Sequence, residues 1–117
     1  MSNLSELLPS GGGQNVGSFV ASGTLTNGQT VGLRSDGKVE ALTSTNLSSF
    51  IGITGQAISD TATGNVDMLG GINSQQTSLV IGSKYYIQSN GTLGTTVTST
   101  FAGQAISATT LNIRDLT

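Results

Sequence analysis

The chain of 117 residues contains no histidine and no cysteine. That removes the commonest general base and metal ligand, and with them all thiol catalysis and thiolate zinc binding. Chemistry would have to rest on six acids, four cations and two tyrosines. From residue 18 onward the acids are Asp36, Glu40, Asp60, Asp67 and Asp115. A glycosidase needs two carboxylates facing each other across a sugar, and the spacing pairs none of these. Asp36 belongs to the tight-turn signal Ser35-Asp36-Gly37, and Asp60 opens a polar turn, where Asp is ordinary. A calcium site from Asp60, Asp67 and backbone carbonyls is conceivable, because calcium accepts mixed oxygen ligands. EF-hand spacing is absent. Gly11-Gly12-Gly13 lacks the following Gly-Lys-Ser/Thr of a phosphate loop. The expectation is a protein without catalytic residues, metal or cofactor, and not an enzyme.

Composition points the same way. Charged residues make up 9% of the chain, against roughly 25% in ordinary soluble domains. Solubility must come from hydroxyls and amides: Ser and Thr number 33. The four cations Arg34, Lys38, Lys84 and Arg114 are dispersed and the net charge is −2, so a phosphate backbone finds no basic cluster. No apolar run approaches the length of a membrane span. No signal peptide is visible at the N-terminus. Nucleic acid and membrane are therefore not expected partners. Low hydrophobicity with high net charge marks disorder, and this chain has neither. One domain fits the length. Its core of Val, Ile, Leu and Ala is modest, which makes self-association plausible.

The elements that must position these residues form a repeat. Thr24-Leu25-x-x-Gly28, Val31, Leu33, Ser35-Asp36-Gly37 and Val39 return as Ser78-Leu79-x-x-Gly82, Tyr85, Ile87, Ser89-Asn90-Gly91 and Leu93. Gly55-Gln-Ala-Ile-Ser59 returns verbatim as Gly103-Gln-Ala-Ile-Ser107, at an offset six residues smaller. This predicts a shorter loop ahead of the second pentapeptide. Val66 and Met68 then match Leu111 and Ile113.

Asp36-Gly37 and Asn90-Gly91 predict hairpins with type I′ turns, which need the positive φ that Gly37 and Gly91 tolerate. Phe50 to Ser59 reads as one long strand. Ile51 and Ile53 share a parity that Ile58 breaks, so Gly55 is expected at a bulge. Gly103 takes the same part in the second copy. Alternation puts Tyr85 in the core with Ile87 and turns Tyr86 outward, free to meet a neighbour or form a surface patch. Residues 72–78 read as a loop. Eight to ten short strands predict an all-β fold: a small antiparallel barrel or sandwich built from two similar β units.

Residues 1–17 stand apart as an extended N-terminal arm ahead of a β domain at 18–117, with the repeat at 24–69 and 78–114. Leu4, Leu7 and Leu8 have the spacing of one helical face, and Pro9 with the glycine run ends it. One turn of helix is not stable alone. The segment is either a frayed terminus or an arm whose leucines dock on a neighbouring subunit.

Leu79-x-x-Gly82-Ser83-x-Tyr85-Tyr86-Ile87-x-x-x-Gly91-x-Leu93, followed by Gly103-Gln-Ala-Ile-Ser107-x-Thr109-x-Leu111-x-Ile113, resembles a module of tailed-bacteriophage virion proteins. That module recurs in tail fibres and small capsid-associated proteins. The first half, with Gly28 to Val39 and Phe50-Ile-Gly-Ile53, resembles small capsid decoration proteins more loosely. The resemblance implies a non-enzymatic homotrimer on the capsid surface of a virion, with the major capsid protein as partner. Leu4, Leu7, Leu8 and Pro9 would then form the capsid-docking arm. The alternative it implies is a tail-fibre or host-glycan-binding module, with Tyr86, Asn90 and the Thr-rich stretch 95–100 on the sugar.

Overall fold

Two glycine-tipped hairpins set the frame, and the strands around them are short because turn residues recur about every ten positions. The computed structural model describes residues 15–114. Its strands are β1 (Val16–Val20), β2 (Thr30–Leu33), β3 (Val39–Ala41), β4 (Phe50–Thr54), β5 (Thr63–Met68), β6 (Ile72–Asn73), β7 (Lys84–Ile87), β8 (Leu93–Gly94), β9 (Phe101–Ala105) and β10 (Leu111–Ile113). A single 3-10 turn spans Leu47–Ser49. The strands form two antiparallel five-stranded sheets, ordered β1-β5-β4-β2-β3 and β6-β10-β9-β7-β8. The all-β expectation is met, as two packed sheets. Among the described residues, no helix is long and apolar enough to cross a membrane.

Each sheet is one copy of the repeat, with the same strand order. Both copies also start one strand earlier than the sequence indicates. β1 begins at Val16, opposite Asp67, inside the segment read as arm. β6 lies where a loop was expected, with Asn73 opposite Leu111. β1, Val-Gly-Ser-Phe-Val, has no strict alternation, and the two residues of β6 are too few to show any.

The turns differ from expectation in type. Each hairpin turn has one residue of positive φ, Gly37 at 87° and Gly91 at 90°, whereas a type I′ turn needs two. Arg34 N–H donates to Lys38 O and Gly37 N–H to Arg34 O; Gln88 N–H donates to Thr92 O and Gly91 N–H to Gln88 O. These are three-residue loops of the type I plus G1-bulge kind. Asp36 Oδ1 accepts from Lys38 N–H and Asn90 Oδ1 from Thr92 N–H. The side chains fix each turn in the same way.

The verbatim pentapeptide is not structurally equivalent in the two copies. β4 pairs Gly52 with Val31 and Phe50 with Gly32, leaving Ile51 as the bulged residue. β9 pairs Gly103 with Tyr85 and Phe101 with Tyr86, leaving Ala102 bulged. Gly103 therefore corresponds to Gly52, not to Gly55. A Cβ on Gly52 would sit 2.2 Å from Asp67 O, and one on Gly103 2.1 Å from Asn112 O. On Gly55 the closest approach is an ordinary 3.4 Å. The bulge expected at Gly55 thus lies at Ile51, and β4 stops at Thr54. The loop shortening is split: part precedes β9, and most follows it, where 106–110 replaces 55–62.

The two cores are built differently. In the first unit Ala21, Leu25, Val31, Val39, Ile58 and Val66 form a buried cluster of their own. The longer loop after β4 carries Ile58 back to Leu25, with reciprocal backbone bonds of 2.8 and 2.9 Å. That loop closes the apolar face. In the second unit the matching backbone bond, from Leu79 N–H to Ala108 O at 2.9 Å, brings only an exposed alanine where the first has Ile58. Its cluster of Tyr85, Ala105, Leu111 and Ile113 takes in Ile53 from β4, and Phe50 packs against it. Leu42 likewise joins Ile87 and Ala102. Stacking is head to tail: one face of the first sheet covers the opposite face of the second.

Candidate functional site

The described residues offer three surface features and one buried polar junction. The junction holds the units in register. Asp67 and Asn73 are both buried. Asn73 Nδ2 donates to Asp67 Oδ2 and to Thr54 O, each at 2.9 Å. Gln76 Nε2 donates to Asn73 Oδ1 at 2.9 Å and to Gly28 O at 3.0 Å. Burial pushes the Asp67 carboxyl above its ordinary pKa, and the hydrogen bond from Asn73 opposes that shift. Asp67 is thus engaged within the fold. Asp60 lies in an exposed loop and accepts from Gly23 N–H at 2.8 Å. The two carboxylates between which a calcium site is conceivable from sequence serve separate contacts. Among the described residues no three acids come together as a metal cluster.

The first surface feature is an uncharged cleft of about 470 Å³ where the units meet. Thr26, Gln29, Thr77, Ser78 and Thr92 line it, over Leu79 and Tyr85. Tyr85 is a core residue, as alternation predicts, and its hydroxyl accepts from Val80 N–H at 2.8 Å. Ser78 holds a φ of 58°, which is rare for a residue with a side chain.

The second is an apolar cleft of about 390 Å³ at the seam of the sheets. Leu47, Phe50, Ile51, Leu69, Phe101 and Ile113 line it, with Ser48, Ser99 and Thr100 on the rim. Both bulged strands border this cleft. They bring Phe50 and Phe101, at equivalent positions, to the same end of the molecule.

The third is an aliphatic patch at one end of the second sheet. Val80 is 60% exposed, Ile81 71% and Ile106 51%. Gly82 N–H donates to Ala105 O at 2.8 Å, which sets the Val80-Ile81 loop beside Ile106. Val97, at 75%, is exposed on the loop after β8.

The residues predicted to matter are placed as follows. Gly37 and Gly91 sit in the hairpin turns. A Cβ on Gly37 would meet nothing within 4 Å, whereas one on Gly91 would strike Leu42 O at 2.2 Å. The second hairpin tip therefore also packs against the first unit, and Thr30 Oγ1 donates to Gly91 O there. Tyr86 is a correction: it is 9% exposed, not a surface contact. The bulge at Ala102 sets Phe101 opposite Tyr86, and their rings lie 5.3 Å apart, tilted by 59°. Alternation alone gave no sign of that cover. Leu4, Leu7, Leu8 and Pro9 lie outside the described residues. The apolar cleft and the exposed aliphatics were missed, because only the register shows which apolar residues are left without cover.

Neither the models of known protein families nor the curated proteins match the chain.

Proposed function

We propose that this protein is a structural component of a tailed-bacteriophage virion, a decoration or cement protein on the outer surface of the head. It acts as a homotrimer that contacts the major capsid protein and stabilises the shell. It is not an enzyme and takes no cofactor. The observation that carries this reading is the uncharged aliphatic patch of Val80, Ile81 and Ile106. Exposed apolar surface of this kind marks an assembly contact. Its position in the second unit is also where the sequence resembles virion proteins most closely. Several weak contacts per oligomer add up across a shell seam, as multivalent binding requires. The arm with Leu4, Leu7, Leu8 and Pro9 supplies a further contact with the shell.

The test is co-sedimentation of purified protein with phage heads stripped of it. Val80→Ser/Ile81→Ser should fold normally and bind heads at least tenfold more weakly. Removal of residues 1–13 should leave the β body folded and also weaken binding. Unchanged binding by both variants contradicts the proposal.

A second reading is a fibre module that binds a host glycan. The uncharged, hydroxyl-lined cleft between the units favours it, because neutral sugars are met by hydroxyls and amides over an apolar floor. Binding on a glycan array, abolished by Gln29→Ala or Thr92→Ala, would support this reading over the first.

A further inference from the structure

We propose that the uncharged cleft between the units takes an extended polypeptide strand, which adds to the open edge of β8. The first unit shows what covers the equivalent edge. There the sheet closes on itself: Ala21 forms a parallel bridge with Val39 of the edge strand β3, and Ser22 N–H donates to Val39 O at 2.7 Å. Arg34 Nη1 adds a bond to Ser22 Oγ at 2.8 Å. A short stretch of chain thus serves as the next strand beside β3.

In the second unit that closure is undone. By the repeat, Gln76 stands for Ser22, Gln88 for Arg34 and Leu93 for Val39. Gln76 N–H turns away and donates to Thr109 O at 3.0 Å. The Gln88 amide donates instead to Tyr86 O and Thr96 O. Ser78, unlike its counterpart Thr24, is held at positive φ. Gln76, Thr77 and Ser78 therefore form one wall of the cleft, and Gly91, Thr92 and Leu93 the other.

The second wall is a strand edge. β8 is the last strand of its sheet. Gln88 N–H donates to Thr92 O, and Leu93 lies opposite Ile87. Hydrogen-bonded and non-bonded pairs alternate along an antiparallel ladder, so Leu93 is in a non-bonded pair. Its N–H and C=O face away from β7, as those of Val39 face away from β2. Such an edge is the template on which an added strand forms. Thr92, Leu93 and Gly94 bring no charge or proline against one. The whole lining of the cleft is uncharged, so the strand it fits is neutral. A sugar would satisfy the hydroxyls, but the backbone pair of Leu93 and the precedent of Ala21 and Ser22 on Val39 both specify peptide.

The inference concerns a surface apart from Val80, Ile81 and Ile106 and does not depend on the proposed role in a virion. Amide exchange of the full-length protein, followed by NMR, tests the edge. The Leu93 N–H should exchange far faster than the Val39 N–H. Equal protection means that the edge is already covered, and overturns the inference. Tethering tests the occupant. The chain has no cysteine, so Thr77→Cys, at an exposed position on the cleft wall, gives one attachment point. Disulfide attachment raises the local concentration of a weak ligand to the millimolar range. The probe is a cysteine-bearing peptide copy of Phe19–Thr24, the stretch that covers β3. It should resist reduction on the order of tenfold more than the same peptide with a methylated backbone, the worth of about one or two net hydrogen bonds. It should also protect the Leu93 N–H. Equal resistance of the two peptides overturns the inference. So does stronger retention of a thiol-bearing neutral sugar, which would give the cleft to a glycan.

Discussion

The two units share a strand order, hairpin turns and bulges, yet one seals its own core and the other is sealed by its partner. Position 53 and its equivalent, 104, show how. Ile53 is fully buried among Tyr85, Leu111 and Ile113. Gln104 stands half-buried on the outer face, donating to Gly82 O and accepting from Arg114 Nη1. Thr30, buried at the interface, has Lys84 as its exposed counterpart. The loop that carries Ile58 closes the stack at one end, and polar substitutions close it at the other. The stack therefore stops at two units. A fold made of one unit repeated would otherwise present a sticky face at each end.

The largest test of this comparison is at Ile53. Ile53→Ala should cost about 2–5 kcal/mol, as buried large-to-small changes do. Ile53→Gln, which copies the outer unit, should cost more, because the amide would be buried without a partner. Gln104→Ile, the reverse exchange, should change stability by no more than about 0.5 kcal/mol. It should promote self-association instead, measurable by analytical ultracentrifugation. Equal costs at the two positions in urea denaturation would contradict head-to-tail stacking.

The hairpin glycines give the next largest contrast. Gly37→Ala meets only the strain of a positive φ, about 1–2 kcal/mol. Gly91→Ala adds a clash with the Leu42 carbonyl, so it should cost clearly more in the same denaturation assay. If the two variants were equal, the second turn would not be part of the interface.

A smaller effect sharpens the comparison at Asp67, whose equivalent is Asn112. Burial raises the carboxyl pKa above its unfolded value. The folded state then holds the proton more tightly, so stability falls as pH rises from the unfolded pKa through the folded one. The penalty is complete above the folded pKa and absent below the unfolded one. Asp67→Asn should raise Tm at pH 7, and the gain should vanish as pH falls through the acid range. A gain that is the same at every pH would place the cause elsewhere. Asp36 behaves oppositely. The hydrogen bond from Lys38 N–H, aided by Arg34, holds its carboxyl below its ordinary pKa. Its contribution is present above the unfolded pKa and lost as pH falls through the folded one.

Much of this pattern was legible in the chain. Alternation placed Tyr85 with Ile87 inside, and the Asp-Gly and Asn-Gly pairs placed Gly37 and Gly91 in turns, because local backbone chemistry settles both. The register of β4 against β9 was not legible. Gly55-Gln-Ala-Ile-Ser59 and its twin share side chains but not backbone positions, since the bulges and loop lengths shift the strands beneath them. Glycine at 52 and 103 answers a neighbouring carbonyl, which is a tertiary fact. Tyr86 was misjudged for a similar reason: alternation names two faces but not what covers the second. The surface features need the stacked sheets, so no sequence pattern announced them.

The most direct measurement is a cryo-EM reconstruction of phage heads incubated with the purified protein. The account predicts two-sheet β density on the outer head surface, in symmetric groups of three astride seams between capsid subunits, with the Val80-Ile81 loop against the shell. Bare heads, or density confined to the tail, would contradict it.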